Sequence, residues 1–375
     1  MLEFKNITKV FKNQTVIKDI SFTVDKGEFV VLIGPSGCGK TTTLKMINKL
    51  VIPSSGSILF EGKDILKEDT IELRRSMGYV IQQTGLLPHM TVGENIGLIP
   101  KLEKWTEAKI LERNIELLKM VGMEPEQYMD RYPCELSGGQ QQRIGVARAF
   151  ATNPDIILMD EPFSALDPIS RNQLQDELFN LQQEFKKTIV FVTHDMDEAL
   201  KLADRICIMK DGNILQFDTP ENILKKPANE FVEEFIGKNR IWQQPEFINA
   251  KDIMITEPVK TTASRTVVQG IEIMKSNKVD SLLIVNKENK LEGIVTLKDL
   301  RKNHVGSVKL ETIMEKDVKT VNVNESLVDI LNIMNELGIG YMPVVDDSLK
   351  LVGLITKSSL LSVLSNQYIT QEVDA

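Results

Sequence analysis

Two tryptophans, five tyrosines and three cysteines in 375 residues make a thin supply of the residue types that staple small secreted domains or build aromatic platforms. Cys38, Cys134 and Cys207 are scattered, with neither the pairing of a disulfide framework nor the spacing of a metal site. That pattern predicts a reduced, cytosolic chain. No apolar run approaches the about 18 residues of a membrane span; stretches such as Phe29 to Ile33 and Leu282 to Val285 are the length of buried strands. The opening Met1-Leu2-Glu3-Phe4-Lys5-Asn6 lacks the basic and apolar regions of a signal peptide. Positive charge is short as well: 45 Lys and Arg stand against 53 Asp and Glu, a net charge of −8 and a pI near 5.3. A broad nucleic-acid footprint is thereby excluded and no nucleic-acid partner is expected. What is present, 42% hydrophobic and 26% charged residues, is ordinary globular material over a length that calls for two or three domains.

The most informative stretch is Gly34-Pro35-Ser36-Gly37-Cys38-Gly39-Lys40-Thr41-Thr42, which fits G-x-x-x-x-G-K-[ST]. Before it the apolar Phe29 to Ile33 reads as a buried strand. After it Thr41 to Leu50 reads as a helix with Leu44, Ile47 and Leu50 on one side. Glycines let successive N–H groups turn inward, and the helix start adds its positive end, so the loop is suited to cradle phosphates. Lys40 would then reach the β- and γ-phosphates and Thr41 would ligate Mg²⁺.

Leu2 to Val24 has the pattern of two strands, and Phe11 just beyond the first is open between a core residue and an aromatic that stacks on adenine. Ser57 to Phe60 and Met77 to Ile81 read as further strands, the second ending at Gln82; Lys101 to Val121 has helical periodicity and interrupts the sheet. Leu136-Ser137-Gly138-Gly139-Gln140 opens another helix, with Ser137 as a good N-cap and bare first-turn N–H groups, a second anion site. The chain thus has two phosphate-binding helix starts but one lysine loop. Ile156 to Met159 is an apolar strand ending in Asp160 and Glu161, and Thr188 to Val192 is another, ending at Thr193-His194-Asp195.

These residues together resemble the nucleotide-binding subunit of an ATP-binding cassette (ABC) transporter, over roughly Leu2 to Phe235. The resemblance implies an α/β fold with a P-loop NTPase core and a helical subdomain. It implies ATP and Mg²⁺ as ligands, and a head-to-tail homodimer in which each ATP lies between one chain's lysine loop and the other chain's Ser137 to Gln140. By the same resemblance Asp160 would hold Mg²⁺, with Thr41 and Gln82; Glu161 would polarise the attacking water; His194 would contact the γ-phosphate; Asp167, after Ser164-Ala165-Leu166, would stand in the dimer-contact loop; and Phe11 would stack on adenine. His89 and His304 match no such position. Leu86, Leu87 and Pro88 would face integral membrane permease subunits, which places the chain on the cytoplasmic face of the membrane.

Beyond Ala250 the chain repeats itself at an offset of 60: Ile253-Met254 recurs as Ile313-Met314, Gly293 as Gly353, Thr296 as Thr356 and Leu300 as Leu360. Each copy reads as helix, strand, strand, helix, and two such units should bury their apolar faces on each other. They resemble a tandem cystathionine-β-synthase (CBS) pair, a regulatory module that binds adenine nucleotides between repeats. The expected division is 1–236 for the ATPase, 237–250 for a linker, 251–308 and 309–366 for the repeats and 367–375 for a tail. In the first copy Thr296 and Asp299 would contact phosphate and ribose; the second keeps Thr356 but has Ser359 in place of the acid. Val259, Val279, Ser281, Ile339 and Tyr341 are candidates to line the site, with cyclic di-AMP favoured as a symmetric ligand and an ionic-strength sensor or plain dimerisation as alternatives. An ABC ATPase followed by a CBS pair resembles the energising subunit of importers for glycine betaine, carnitine and choline, which work with a substrate-binding protein. Another importer class is the alternative.

Overall fold

The computed structural model describes residues 1–82, 85–164, 166–237, 240–302 and 308–361. Two compact units divide the chain, Met1–Gly237 and Lys238–Ala375.

In the first unit, β1 (Leu2–Phe11), β2 (Gln14–Val24), β4 (Ser55–Phe60) and β5 (Lys63–Asp64) form an antiparallel sheet in the order β2-β1-β4-β5. Its alternating strands bury Leu2, Phe4, Ile17, Ile20 and Ile58 on one side. A second sheet has the order β10-β9-β3-β8-β7-β6, built from β3 (Phe29–Ile33), β6 (Met77–Val80), β7 (Ile156–Asp160), β8 (Thr188–Val192), β9 (Arg205–Lys210) and β10 (Asn213–Asp218). Every pair in it is parallel except β9 with β10.

Strand β3 shows why these runs are unbroken apolar stretches. Val30 and Leu32 pack on the side that holds Leu44 and Ile47 of α1 (Lys40–Ile47), while Phe29, Val31 and Ile33 pack on the opposite side with α7 (Gly138–Ala149). A strand covered on both faces has no position for a polar side chain. The loops at the carboxyl ends of the parallel strands are therefore where polar groups gather. Helix α1 is shorter than the apolar spacing predicts: Asn48 caps it, Lys49 takes a left-handed φ of +56°, and Leu50 is 48% exposed.

Between β6 and β7 lie α3 (Val92–Ile96), α4 (Leu98–Leu102), α5 (Glu107–Met120), α6 (Pro125–Tyr128) and then α7, the expected helical insertion. Asn95 is fully buried here. It accepts from Leu87 N–H and donates to the carbonyls of Leu87, Met90 and Thr91, so it fastens the loop after Gln82 to the insertion.

The second unit holds two three-stranded sheets of matching topology. One contains β11 (Lys260–Thr261), β12 (Ser281–Val285) and β13 (Leu291–Thr296); the other contains β14 (Val321–Asn322), β15 (Tyr341–Val345) and β16 (Leu351–Thr356). The leading strands have two residues each and pair in parallel with β12 and β15, too short to stand out in the sequence. Helices α13 (Val267–Asn277) and α15 (Leu327–Glu336) pack on them. The repeats exchange their leading segments. Ile255 bridges to Leu354 and Glu315 to Ile294, while Met254 packs against Gly353 and Met314 against Gly293. Gly293 has no room for a side chain, since a Cβ there would lie 2.7 Å from Glu315 O. Residues 245–250, expected as linker, take part in this core: Ile248 is buried and its carbonyl accepts from Leu327 N–H.

Candidate functional site

Strand β3 ends in the glycine loop. Gly34 has φ +155°, and a Cβ there would lie 2.0 Å from Met209 O; Gly39 has φ +110°, and its Cβ would lie 2.3 Å from Ile17 Cδ1. Neither position accepts another residue without moving backbone or core. Pro35, Ser36 and Gly37 form the exposed rim, and Cys38 turns into the core, where burial pushes its thiol up despite the neighbouring Lys40 charge. Lys40 is only 6% exposed, and its ammonium donates to Gly34 O at 2.7 Å and Pro35 O at 3.1 Å. A positive charge is thereby fixed at the loop, beside the N-terminus of α1. Thr41 and Thr42 follow in the first turn, both half-buried.

Thr41 Oγ1 donates to Asp160 Oδ1 at 2.8 Å, which joins the head of α1 to the end of β7. Asp160 is 4% exposed, and burial raises its carboxyl above the ordinary carboxylate range, opposed by the Thr41 hydroxyl and the Lys45 charge. A buried carboxylate with that tendency is a group that gains from a cation. Two hard oxygen donors side by side fit Mg²⁺, which takes few protein ligands and leaves its other positions to water and phosphate oxygens. Among the described residues no cluster of three or more His, Cys, Asp and Glu side chains offers a closed metal site.

Consecutive strand residues face opposite ways, and Glu161 turns away from Asp160 with a left-handed φ of +45° while its N–H donates to Val192 O at 2.9 Å. Its carboxylate meets Gln82 and His194. Gln82 Nε2 donates to Glu161 Oε2 at 3.1 Å, and His194 Nδ1 lies 3.4 Å from the same oxygen. So the ends of β6, β7 and β8 deliver an amide, a carboxylate and an imidazole to one point. A small cavity of about 50 Å³ beside them is lined by Glu161, Ser164, Arg171, Thr193 and His194.

Ser137 caps α7 by accepting from Gln140 N–H, while the Gln140 side chain accepts from Ser137 N–H. Gly138 and Gly139 occupy the first turn, and the four residues line a cavity of about 860 Å³ with Asp167. Asp167 in turn caps α8 (Pro168–Phe185), accepting from Ile169 and Ser170 N–H, and the Ser170 hydroxyl first, then these N–H bonds, hold its carboxyl below the ordinary range. Phe11 ends β1 with its ring 44% exposed and Lys9 Nζ 4.6 Å from the ring centroid, so it is a surface ring and not a core residue. Gln83, Ala165, His304 and the tail 367–375 fall outside the described residues.

In the second unit Thr296 Oγ1 and N–H both donate to Asp299 Oδ2, at 2.5 and 3.0 Å. The corresponding turn uses a neutral hydroxyl: Thr356 N–H donates to Ser359 Oγ at 2.9 Å. Ser281 and Tyr341 stand opposite Thr296 and Thr356 in equivalent registers. Tyr341 Oη donates to Glu315 Oε2 at 3.2 Å; burial, then the charges of Glu315 and Asp299, push the phenol up to about 12. Tyr341 also packs on the core between the two repeats. The apolar candidates part company: Val259 and Val279 pack in the first repeat's core and Ile339 in the second's. Sequence reasoning missed Glu315 as Tyr341's partner, since the offset of 60 pairs it with Ile255, an apolar residue with no matching charge.

Residues 17–164 match the family model described as ABC transporter, and residues 250–306 and 310–366 each match CBS domain. The carnitine transport ATP-binding protein OpuCA of Listeria monocytogenes serotype 1/2a (strain 10403S) is 52% identical over 97% of this chain and 92% of its own length. The glycine betaine/carnitine/choline transport ATP-binding protein OpuCA of Bacillus subtilis (strain 168) is 51% identical over 97% and 96%, and the choline transport ATP-binding protein OpuBA of the same organism 50% identical over the same shares. Among solved structures, the dimeric post-hydrolysis state of the ATP-binding cassette MJ0796 bound to ADP and Pi superposes with TM-score 0.54 and 37% identity, covering 59% of this chain and 99% of that one.

Proposed function

Because this chain belongs to the ABC transporter ATP-binding proteins that carry two CBS domains, we propose that it is the ATPase of an importer for quaternary-amine solutes of the glycine betaine, carnitine and choline group. The observation that carries this reading is the identity of 50–52% to three such subunits across 97% of the chain, both CBS repeats included.

The strand-end cluster supplies the chemistry. Glu161 takes a proton from the water that attacks the γ-phosphorus, Gln82 orients that water and the same carboxylate, and His194 donates to the γ-phosphate as charge builds on it. Lys40 and the loop N–H groups hold the β- and γ-phosphates. Thr41 and Asp160 would hold Mg²⁺, which would supply neutralisation of the phosphate charge. Ser137 to Gln140 and Asp167 have no lysine loop in their own cavity, which fits a site completed by a second copy, and Phe11 offers its exposed ring to adenine. ATP joins two chains, and hydrolysis with phosphate release parts them.

Membrane permease subunits take up that motion. Leu86, Leu87 and Pro88 directly follow the Gln82 loop, and a neighbouring cleft of about 450 Å³ is lined by Met90, Leu98, Trp105, Ile110 and Leu111. A cleft with this apolar wall and a rim of Glu94, Lys101, Glu107 and Asp130, next to the Asn95 bonds that fasten the loop after Gln82, suits a short amphipathic helix from a permease, which sets the chain on the cytoplasmic face of the membrane. A substrate-binding protein selects the solute. The CBS pair binds an adenine nucleotide at Thr296, Asp299 and Tyr341, and cyclic di-AMP ahead of AMP, because the second repeat has Ser359 where a ribose acid would stand.

Uptake of labelled carnitine, choline and glycine betaine in cells stripped of their own carriers tests the assignment. With the cognate permease and binding protein, the chain should restore uptake of at least one, and Lys40→Ala should abolish it. Restored uptake of a sugar or a metal ion alone would overturn the reading.

A further inference from the structure

Tyr79, on β6, stands opposite Leu158 of β7 in the parallel register. Alternate strand residues share a face, so Tyr79, Leu158 and Asp160 point to the same side of the sheet. That side is covered by α1: Tyr79 and Leu158 pack there with Leu44 and Ile47, and Thr41 at the head of α1 bonds Asp160. Tyr79 Oη is shielded from solvent and makes no hydrogen bond to the described residues. Such hydroxyls are rare, because burial without a partner forfeits hydration for nothing. Burial first, and then the charge of Asp160, pushes the phenol up to about 12, so it keeps its proton at any physiological pH. The catalytic cluster of Glu161, Gln82 and His194 makes no use of it.

We infer that Tyr79 is a positioning residue for the metal-site carboxylate, donating through one ordered water to Asp160 and so fixing its rotation beside Thr41. The inference rests on the reading of Asp160 as the Mg²⁺ acid. A bridging water in a buried site needs two or more polar partners, and the hydroxyl and the carboxylate provide them on one face of the sheet. The groups that orient a metal ligand matter almost as much as the ligand, and losing one weakens metal affinity about 10–100-fold. Tyr79→Phe deletes the hydroxyl alone and keeps the ring in its core.

The test titrates a fluorescent ATP analogue onto the full-length chain, in EDTA and across a Mg²⁺ series, for wild type, Tyr79→Phe and Asp160→Asn. Tyr79→Phe should bind the analogue as wild type does in EDTA, while its half-saturating Mg²⁺ rises about tenfold or more. Thermal unfolding of the nucleotide-free variant should stay close to wild type, since the water that bonded the hydroxyl remains free to bond Asp160. An unchanged Mg²⁺ midpoint in Tyr79→Phe, with a raised one in Asp160→Asn, overturns the Tyr79 role and leaves the acid in place. An unchanged midpoint in Asp160→Asn overturns the metal reading, and the Tyr79 inference with it. Weakened binding in EDTA, or a lowered unfolding temperature without nucleotide, would mark the hydroxyl as merely structural and also overturn it.

Discussion

Replacing Glu161 by Gln isolates the chemical step, because the substitution leaves shape and contacts while removing the base. A glutamine can still turn an oxygen toward Gln82 Nε2, 3.1 Å away, and toward His194 Nδ1 at 3.4 Å. The glycine loop, Lys40 and the Thr41–Asp160 pair are untouched, so ATP affinity should hold. Loss of a general base slows turnover roughly 10²–10⁴-fold, a barrier higher by about 3–5 kcal/mol. The assay pairs phosphate release with size-exclusion chromatography: the variant should stall as an ATP-bound dimer that wild type forms only transiently. The backbone adds a second expectation. A non-glycine residue at φ +45° stores about 1–3 kcal/mol of strain, so Glu161→Gly should be at least as stable as wild type while equally inactive. Turnover within a fewfold of wild type for Glu161→Gln would refute the reasoning, and a destabilised Glu161→Gly would refute the strain.

Mixing an inactive Lys40→Ala chain with an inactive Ser137→Arg chain should partly restore ATPase activity, because the heterodimer holds one undamaged composite site; heterodimers without recovery would refute shared sites. Asp160 sets a pH dependence of definite sign: a carboxyl raised by burial favours the folded state at low pH, and that advantage is lost as pH rises through the ordinary carboxylate range to the folded value. Asp160→Asn lacks the loss, so its nucleotide-free stability relative to wild type should increase from about pH 3.5 to pH 7, as read by denaturant unfolding; a gap independent of pH would refute this. Calorimetry of the full chain with cyclic di-AMP should show Tyr341→Ala binding about tenfold or more weakly, the loss of one base stack of roughly 1–3 kcal/mol. If neither protein binds while uptake still responds steeply to salt, ionic-strength sensing takes the place of ligand binding.

The nucleotide half was legible where spacing is dictated by chemistry. A loop that must present N–H groups and a lysine to phosphates has few sequences open to it, and the strands beside it are apolar because both faces are covered. What escaped reading depends on neighbours distant in sequence. Helix α1 ends at Ile47 because Asn48 and Lys49 turn the chain back, with Val51 N–H donating to Lys45 O; apolar spacing alone ran it on to Leu50. Phe11 is as apolar as any core residue, and only the end of β1 leaves it on the surface. Tyr79 looks like one more aromatic in a strand until β7 is laid beside it with Asp160 on the same face.

In the second unit the repeat and the packing of its copies were visible in the sequence, and the exchange of their leading segments was not. Ile294 N–H donates to Glu315 O at 3.0 Å and Glu315 N–H to Ile294 O at 2.9 Å, so the segment leading the second repeat is a strand partner of the first. Glu315 also accepts from Tyr341 Oη, and Tyr341 feels Asp299 of the first repeat. A base that stacks on the Tyr341 ring therefore meets a phenol tethered to Glu315, whose backbone is bonded to the first repeat's sheet. Such a ligand touches both repeats through one side chain. The two carboxylates whose charge reaches Tyr341, Glu315 and Asp299, also disfavour a ligand with a free, highly charged phosphate tail beside that ring, and a cyclic dinucleotide, whose phosphates each carry a single charge, meets less repulsion there than ATP.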